Sequence, residues 1–188
     1  MVPGTSDKIA IVLHGPPCSG KTETAKELVR RLTPARSSFL SLDAGWMPGH
    51  FRYHPGPQRY ADVAAVSEPV LLIEVGCGEP CDLRLPGATQ GAAEWVDVLR
   101  RANRRIHAFA LRMDWDDARA RLLDRYRGRP AALFEFWQHV GLYALFVHGD
   151  PIATFPAEVE LSEEPLDSSK MTIVEMVDYI QTRLATAV

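Results

Sequence analysis

Short apolar runs alternate along the chain with stretches in which apolar residues recur at every third or fourth position. The runs have the length of β-strands, and they fall at residues 8–14, 37–43, 69–75, 105–111 and 157–161. The run from Pro69 to Val75 is the most apolar, as expected of a strand buried on both faces at the centre of a parallel sheet. The pattern therefore predicts five short strands.

The stretches between these runs have the periodicity of helices. The first extends from Ala25 to Leu32 and is ended by Pro34. Further helices are predicted at residues 92–99, 114–126, 131–147 and 173–184. Strands that alternate with helices predict an α/β fold with a parallel sheet and right-handed crossovers. We expect residues 1–188 to form a single domain.

The composition is that of an ordinary water-soluble protein, with 46% hydrophobic and 24% charged residues. The net charge of −3 gives no general electrostatic reason to bind nucleic acid, although a local basic patch stays open. We find no signal peptide and no apolar run long enough to span a membrane, so no membrane partner is expected. Three cysteines fit a reducing compartment, which predicts a cytoplasmic protein.

The eight residues after the first predicted strand carry the most specific chemical signal. The run Gly15-Pro16-Pro17-Cys18-Ser19-Gly20-Lys21-Thr22 fits the pattern G-x-x-x-x-G-K-[ST] of a phosphate-binding P-loop. Gly15 and Gly20 let the backbone turn tightly and approach a polyphosphate closely. Because proline has no N–H, the amides that hold the phosphates must come mainly from Cys18, Ser19, Gly20, Lys21 and Thr22. A strand before the motif and a helix after it support the prediction that the chain binds a nucleoside triphosphate.

Two side chains of the motif have further predicted roles. Lys21 would reach the β- and γ-phosphates, and the hydroxyl of Thr22 would ligate Mg²⁺.

Two of the predicted strands end in a carboxylate, Asp43 and Glu74. Ligands of such sheets lie across the carboxyl ends of the strands, so both acids are expected on the same rim as the P-loop. Asp43 is interpreted as the base that accepts a hydroxyl proton while an oxygen attacks the γ-phosphate, the alternative being a turn cap. For Glu74 two readings stay open: an acid that holds a Mg²⁺-bound water or orients the acceptor, and a partly buried acid bonded by backbone amides.

Four arginines surround Gly128, and they are Arg121, Arg125, Arg127 and Arg129. Mobile arginines at such a break would close over the phosphates, neutralise charge that develops in transfer and exclude water. The alternative is a solvated helix face. Like charges at positions 121 and 125 repel unless an anion lies between them. We therefore predict a lid at about residues 125–135, with Arg125 as the strongest catalytic candidate.

An acceptor site is predicted in the segment after Asp43, which is rich in glycine, proline, histidine and aromatic residues. Aromatic rings stack on ligand rings, and histidines donate or accept hydrogen bonds, although the same residues would also serve to pack the loop on the domain. The candidates are Trp46, His50, Arg52, His54 and Arg59. Cys77 and Cys81 have no second ligand pair nearby, so a metal site there is not expected.

With these residues in place, the chain resembles P-loop kinases of the adenylate, shikimate and gluconate kinase group. It is most similar to small kinases that include zeta toxins, chloramphenicol phosphotransferase and polynucleotide 5′-kinases. The matching parts are Gly15 to Thr22, Asp43, the run from Leu111 to Arg125, and Leu166 to Ser169 with Thr172. The resemblance implies a three-layer domain with a five-stranded sheet in the order 2-3-1-4-5. It also implies ATP as the donor, Asp43 as the base and a lid near Gly128.

The sequence predicts an ATP- and Mg²⁺-dependent phosphotransferase that acts on a hydroxyl of a small molecule. One alternative is a nucleotide or polynucleotide 5′-kinase. A nucleotide acceptor would need Arg52, Arg59 and Arg84 to hold its phosphate, and a 5′-end kinase would need a basic groove, against which the modest net charge counts. The other is a slow P-loop ATPase that acts as a switch or regulatory binding protein. The oligomeric state has no signal in the sequence.

Overall fold

The computed structural model describes residues 8–15, 18–32, 37–41, 64–75, 96–127, 160–161 and 164–186. The described strands are β1 (Lys8–His14), β2 (Ser37–Ser41), β3 (Val70–Val75), β4 (Arg104–Arg112), β5 (Glu160–Leu161) and β6 (Leu166–Asp167). The helices are α1 (Lys21–Arg31), α2 (Trp115–Tyr126) and α3 (Ile173–Thr186), and residues 96–101 are also helical. The predicted helix at 131–147 lies outside the described residues.

The strands pair in the order β2-β3-β1-β4-β5, and all of these pairings are parallel. This confirms the predicted α/β fold and its strand order. The two-residue strand β6 additionally pairs with the end of β4, where Leu111 lies opposite Leu166. The hydrophobic pattern did not predict β6 as a strand, because two residues are too few for an alternation to be recognised.

The sheet separates two apolar layers because successive residues of a strand point to opposite faces. On one face Ala10 and Val12 pack with Leu71 and Ile73 and with two residues of the helical stretch 96–101, Val96 and Leu99. On the other face lies a larger cluster that includes Ile11, Leu13, Leu28, Leu72, Phe109, Leu111, Met176, Val177 and Ile180. Helices α1 and α3 therefore cover the second face, which gives the expected three layers.

A buried arginine lies at the edge of the sheet where β1, β3 and β4 begin. Arg104, which is 4% exposed, donates hydrogen bonds to the carbonyl oxygens of Ile9 (3.1 Å), Val66 (2.8 Å), Glu68 (2.9 Å) and Pro69 (3.3 Å). Burial lowers the pKa of this guanidinium from its ordinary value, and the charge of Glu68 partly opposes that shift. One side chain thus links the starts of three strands at the edge of the sheet opposite the P-loop.

Candidate functional site

The P-loop begins where β1 ends, and its first residue passes very close to β4. A Cβ atom at Gly15 would lie 2.5 Å from the backbone oxygen of Leu111 and 3.1 Å from Oγ of Ser19. Real Cβ atoms do not approach a backbone oxygen this closely, so no side chain fits at residue 15. The close packing of the loop against β4 accounts for the glycine that the motif requires.

Two further residues of the loop have left-handed backbone conformations, Cys18 with φ of 64° and Gly20 with φ of 90°. The first is a non-glycine residue, for which this conformation costs about 1–2 kcal/mol. Gly20 is the N-cap of α1, and a Cβ atom there would lie 3.2 Å from Cδ1 of Ile173 at the start of α3. The loop is therefore enclosed between β4 and α3.

Lys21, the first residue of α1, folds back across the loop that precedes it. Its Nζ donates a hydrogen bond of 3.0 Å to the carbonyl oxygen of Gly15, and the residue is 5% exposed. A positive charge is thus held at the mouth of a loop whose amides belong to the N-terminus of a helix, where the helix dipole also favours anions.

A hydrogen bond between Thr22 and Glu74 joins the start of α1 to the carboxyl end of β3. The Thr22 hydroxyl donates a hydrogen bond of 2.7 Å to Oε1 of Glu74, which lies near the end of β3 and is 4% exposed. The register of the sheet places Glu74 beside Leu13 of β1. The structure therefore places the predicted Mg²⁺ ligand in contact with the strand-terminal acid. Both residues are recognisable in the sequence, but the sequence does not predict this hydrogen bond.

Two arginines of α2 contact the P-loop. Arg121 donates hydrogen bonds to the carbonyl oxygens of Cys18 (3.2 Å) and Ser168 (2.9 Å). Arg125, one turn later, places Nη1 3.9 Å from Sγ of Cys18. Arg127 instead pairs with the exposed Asp124 at 3.7 Å. Of the four predicted lid arginines, two thus lie against the loop, and Arg129 lies outside the described residues.

The turn between β6 and α3 forms the wall of the site next to Arg121. Ser168 donates two hydrogen bonds to the Arg112 carbonyl, from its backbone N–H (2.9 Å) and from Oγ (3.1 Å). The backbone N–H of Asp114, the N-cap of α2, donates to Oγ of Ser169 (2.9 Å). The turn is therefore attached to both the end of β4 and the start of α2. In the sequence this segment stands out only through the family resemblance, and its contact with Arg121 is not predictable there.

An ionised aspartate stabilises the same turn. Burial alone would raise the pKa of Asp167, but Lys170 (3.1 Å), the Ser169 amide (3.1 Å) and Arg112 (3.3 Å) together hold that pKa below its ordinary value. The carboxylate thus stays charged and continues to accept from both cations.

His14, the last residue of β1, is fully buried beside the loop, as its position in a core strand predicts. Burial lowers the pKa of His14 from 6.5 to about 3, and the charge of Lys21 contributes in the same direction. The imidazole is therefore neutral at physiological pH.

The buried histidine makes the protein sensitive to acid. Between the unfolded pKa near 6.5 and the folded pKa near 3, unfolding takes up a proton at residue 14, so stability is lost as the pH falls. From pH 6.5 to pH 5 the free energy of unfolding should drop by about 2 kcal/mol through this group. Urea denaturation of the natural protein and of His14→Gln at several pH values measures the difference. Parallel pH profiles for the two proteins would contradict this account.

Several predicted site residues lie outside the described residues, so their predicted roles stay predictions. They are Asp43, Trp46, His50, Arg52, His54, Arg59 and Arg129. The search for membrane-spanning helices, made over the described residues, found none with the length and apolarity that a bilayer requires.

Comparison with known proteins gives the fold. No protein-family model and no curated protein matches the chain. Over 98% of its length it is similar to the whole of a candidate kinase from Chloroflexus aurantiacus, at 20% identity and a TM-score of 0.64. It is also similar to a sugar kinase from Janibacter sp., at 16% identity, 95% coverage of each chain and a TM-score of 0.54. Kti12 from Chaetomium thermophilum, solved in complex with ADP-AlF3, matches at 16% identity, with 92% of this chain and 97% of that chain covered and a TM-score of 0.52. The chain thus has the fold of P-loop kinases, which confirms the resemblance at the level of the fold.

Proposed function

We propose that this protein is an ATP- and Mg²⁺-dependent kinase that transfers the γ-phosphate to a hydroxyl of a small molecule. The proposal is carried by the arrangement of Lys21, Thr22 and Glu74 at the carboxyl edge of the sheet. The buried ammonium of Lys21, the hydroxyl of Thr22 and the carboxylate of Glu74 all lie beside the P-loop, whose glycines let its backbone approach a phosphate closely. The fold supports the proposal, since proteins that share it are described as kinases and one of them holds ADP-AlF3.

The donor side uses the loop and the first turn of α1. Backbone amides of Cys18, Ser19 and Gly20 donate to phosphate oxygens, and the Lys21 ammonium neutralises the β- and γ-phosphates. In the structure that ammonium is bonded to the Gly15 carbonyl. It is therefore already positioned at the mouth of the loop without needing to cross the site.

The residues beside Thr22 fit Mg²⁺. The ion prefers oxygen ligands and is usually held by one or two protein side chains together with phosphates and water. Thr22 would ligate it directly and Glu74 through a water, and the two oxygens are already neighbours at 2.7 Å. When bound, the ion would neutralise charge on the phosphate oxygens.

The acceptor side is assigned to the segment after β2. Asp43 takes the hydroxyl proton while the acceptor oxygen attacks the γ-phosphorus and ADP leaves with the bridging oxygen. Trp46, His50, Arg52, His54 and Arg59 bind the acceptor. Arg125, with Arg127 or Arg129, neutralises the charge of the transferred group.

This function is tested by incubating the protein with ATP, Mg²⁺ and a panel of sugars, nucleosides, aminocyclitols, antibiotics and 5′-hydroxyl oligonucleotides. ADP release and new phosphorylated masses are followed for the natural protein and for Asp43→Asn. We expect one phosphorylated small molecule, and we expect its formation to fall at least about a hundredfold in the variant. Asp97→Asn, which alters an exposed aspartate paired with Arg101 far from the rim, is the matched control.

The other outcomes separate the alternatives. Phosphorylated nucleotide or oligonucleotide would identify a nucleotide or 5′-end kinase. Slow ADP release that produces no phosphorylated compound and is unchanged in Asp43→Asn would contradict the kinase proposal in favour of a regulatory ATPase.

A further inference from the structure

Arg121 connects two segments that are far apart in the sequence. Its Nη1 donates to the carbonyl oxygen of Cys18 (3.2 Å), and its Nη2 donates to that of Ser168 (2.9 Å). The side chain is on α2, whose buried residues Ala118 and Leu122 hold that face of the helix against the domain. The two ends of a single guanidinium fork thus join the P-loop to the turn after β6.

The Ser168 end of this connection is firmly held. The backbone N–H and Oγ of Ser168 both donate to the Arg112 carbonyl at the end of β4, and the neighbouring Ser169 accepts from the N–H of Asp114. Ser168 itself is 5% exposed. Arg121 therefore reaches the loop from a fixed point of the domain.

The Cys18 end determines the direction of a peptide group. No peptide bond in the described residues is cis, so the N–H of Ser19 points opposite to the Cys18 carbonyl and away from Arg121. Cys18 has φ of 64°, a conformation that a non-glycine residue keeps only when its surroundings impose it. If this peptide turned over, an oxygen would replace an N–H on the face of the loop that meets phosphate.

We propose that Arg121 is a positioning residue, which holds the Cys18–Ser19 peptide with its N–H directed at the polyphosphate. This inference rests on the proposed nucleotide-binding function and deepens it. It differs from the role predicted for Arg121 as a lid arginine that contacts phosphate itself. Both terminal nitrogens of Arg121 are bonded to carbonyl oxygens, whereas Arg125 makes a contact of 3.9 Å with a sulfur atom.

Two substitutions of Arg121 distinguish the effect of its positive charge from the effect of its two hydrogen bonds. Arg121→Lys keeps the positive charge, but an ammonium has no planar fork to bond both carbonyls, and Arg121→Gln removes the charge as well. Arg119→Gln is the control, because it removes an exposed arginine from the same helix. The measured quantities are the dissociation constants for MgATP and inorganic tripolyphosphate and the thermal midpoint without ligand.

We expect Arg121→Lys and Arg121→Gln to weaken binding of both ligands by a similar factor of about ten. Arg119→Gln should bind like the natural protein. Because Arg121 lies on the surface, the thermal midpoints of its two variants should differ from that of the natural protein by no more than a few degrees. If Arg121 had a purely structural role, a folded variant would keep its affinity for tripolyphosphate.

Four results would overturn the inference. Near-natural affinity in Arg121→Lys would show that charge alone matters, and natural affinity in both Arg121 variants would show that the contact has no role. An equal loss in Arg119→Gln would indicate a general charge effect. Failure of the natural protein to bind either ligand would overturn the proposed function together with this inference, so the two failures are distinguishable.

Discussion

Replacing Lys21 with methionine is expected to lower ATP consumption by this protein about 10²–10³-fold. Methionine keeps the length and apolar character of the stem in a position that is 5% exposed, but it removes the ammonium that is bonded to the Gly15 carbonyl. Charge that develops on the phosphate oxygens during transfer would then lose the cation that is held at the mouth of the loop. Steady-state measurement of ADP release gives kcat and KM for the variant.

Lys26, which lies on the same helix as Lys21, provides a matched control for this substitution. Lys26 is exposed and pairs with Glu23 at 2.7 Å, so Lys26→Met removes an equal charge without touching the loop. Its activity should remain within about twofold of the natural protein, since exposed ion pairs contribute little. Activity of Lys21→Met within threefold of natural would mean that the loop does not bind phosphate in the way proposed.

Gly15→Ala is expected to lower the free energy of unfolding by about 3 kcal/mol. The new methyl group would lie 2.5 Å from the backbone oxygen of Leu111, which belongs to β4 and cannot move without disturbing the sheet. Because the loop would have to shift instead, nucleotide binding should be lost together with stability. Urea denaturation and titration with MgATP measure the two effects.

Gly20→Ala gives the comparison for that prediction. Its Cβ atom would meet Cδ1 of Ile173 at 3.2 Å, the far end of a side chain that can rotate, so the cost there comes mainly from the φ of 90°. That cost is about 1–2 kcal/mol. An equal or larger loss for Gly20→Ala would contradict the assignment of the Gly15 effect to the Leu111 oxygen.

The parts of this protein that sequence predicts well are those in which local residue types carry the physical requirement. Gly15, Gly20, Lys21 and Thr22 are recognisable because each is needed for its own backbone freedom, charge or hydroxyl. Short apolar runs predict the strands, and the apolar run of β3 correctly indicates a strand buried on both faces. The middle strand of the sheet is β1, however, and β3 lies beside it. The order of the strands came from the resemblance, since a periodic pattern does not specify which strands are neighbours.

The contacts that sequence did not predict join residues far apart in the chain, and some of them use backbone carbonyl groups, which every residue possesses. Arg121 is recognisable in the sequence as one of four arginines. Its partners are the carbonyl oxygens of Cys18 and Ser168, and no pattern of residue types predicts a bond to a backbone carbonyl. The hydrogen bond between Thr22 and Glu74 joins residues 52 positions apart and depends on strand order. Such contacts follow from tertiary structure, so they are found after the fold is known.

The bonds of Arg104 have a consequence for the time course of folding. The arginine reaches Ile9, which precedes it by 95 residues, and Pro69, which precedes it by 35. At a synthesis rate of about 5–20 residues per second, β1 is synthesised roughly 5–20 s before Arg104. During that interval β1 also lacks β4, its parallel neighbour. In the growing chain the P-loop therefore has no β4 to pack against. The loop reaches its final structure late in synthesis, although its residues are made first.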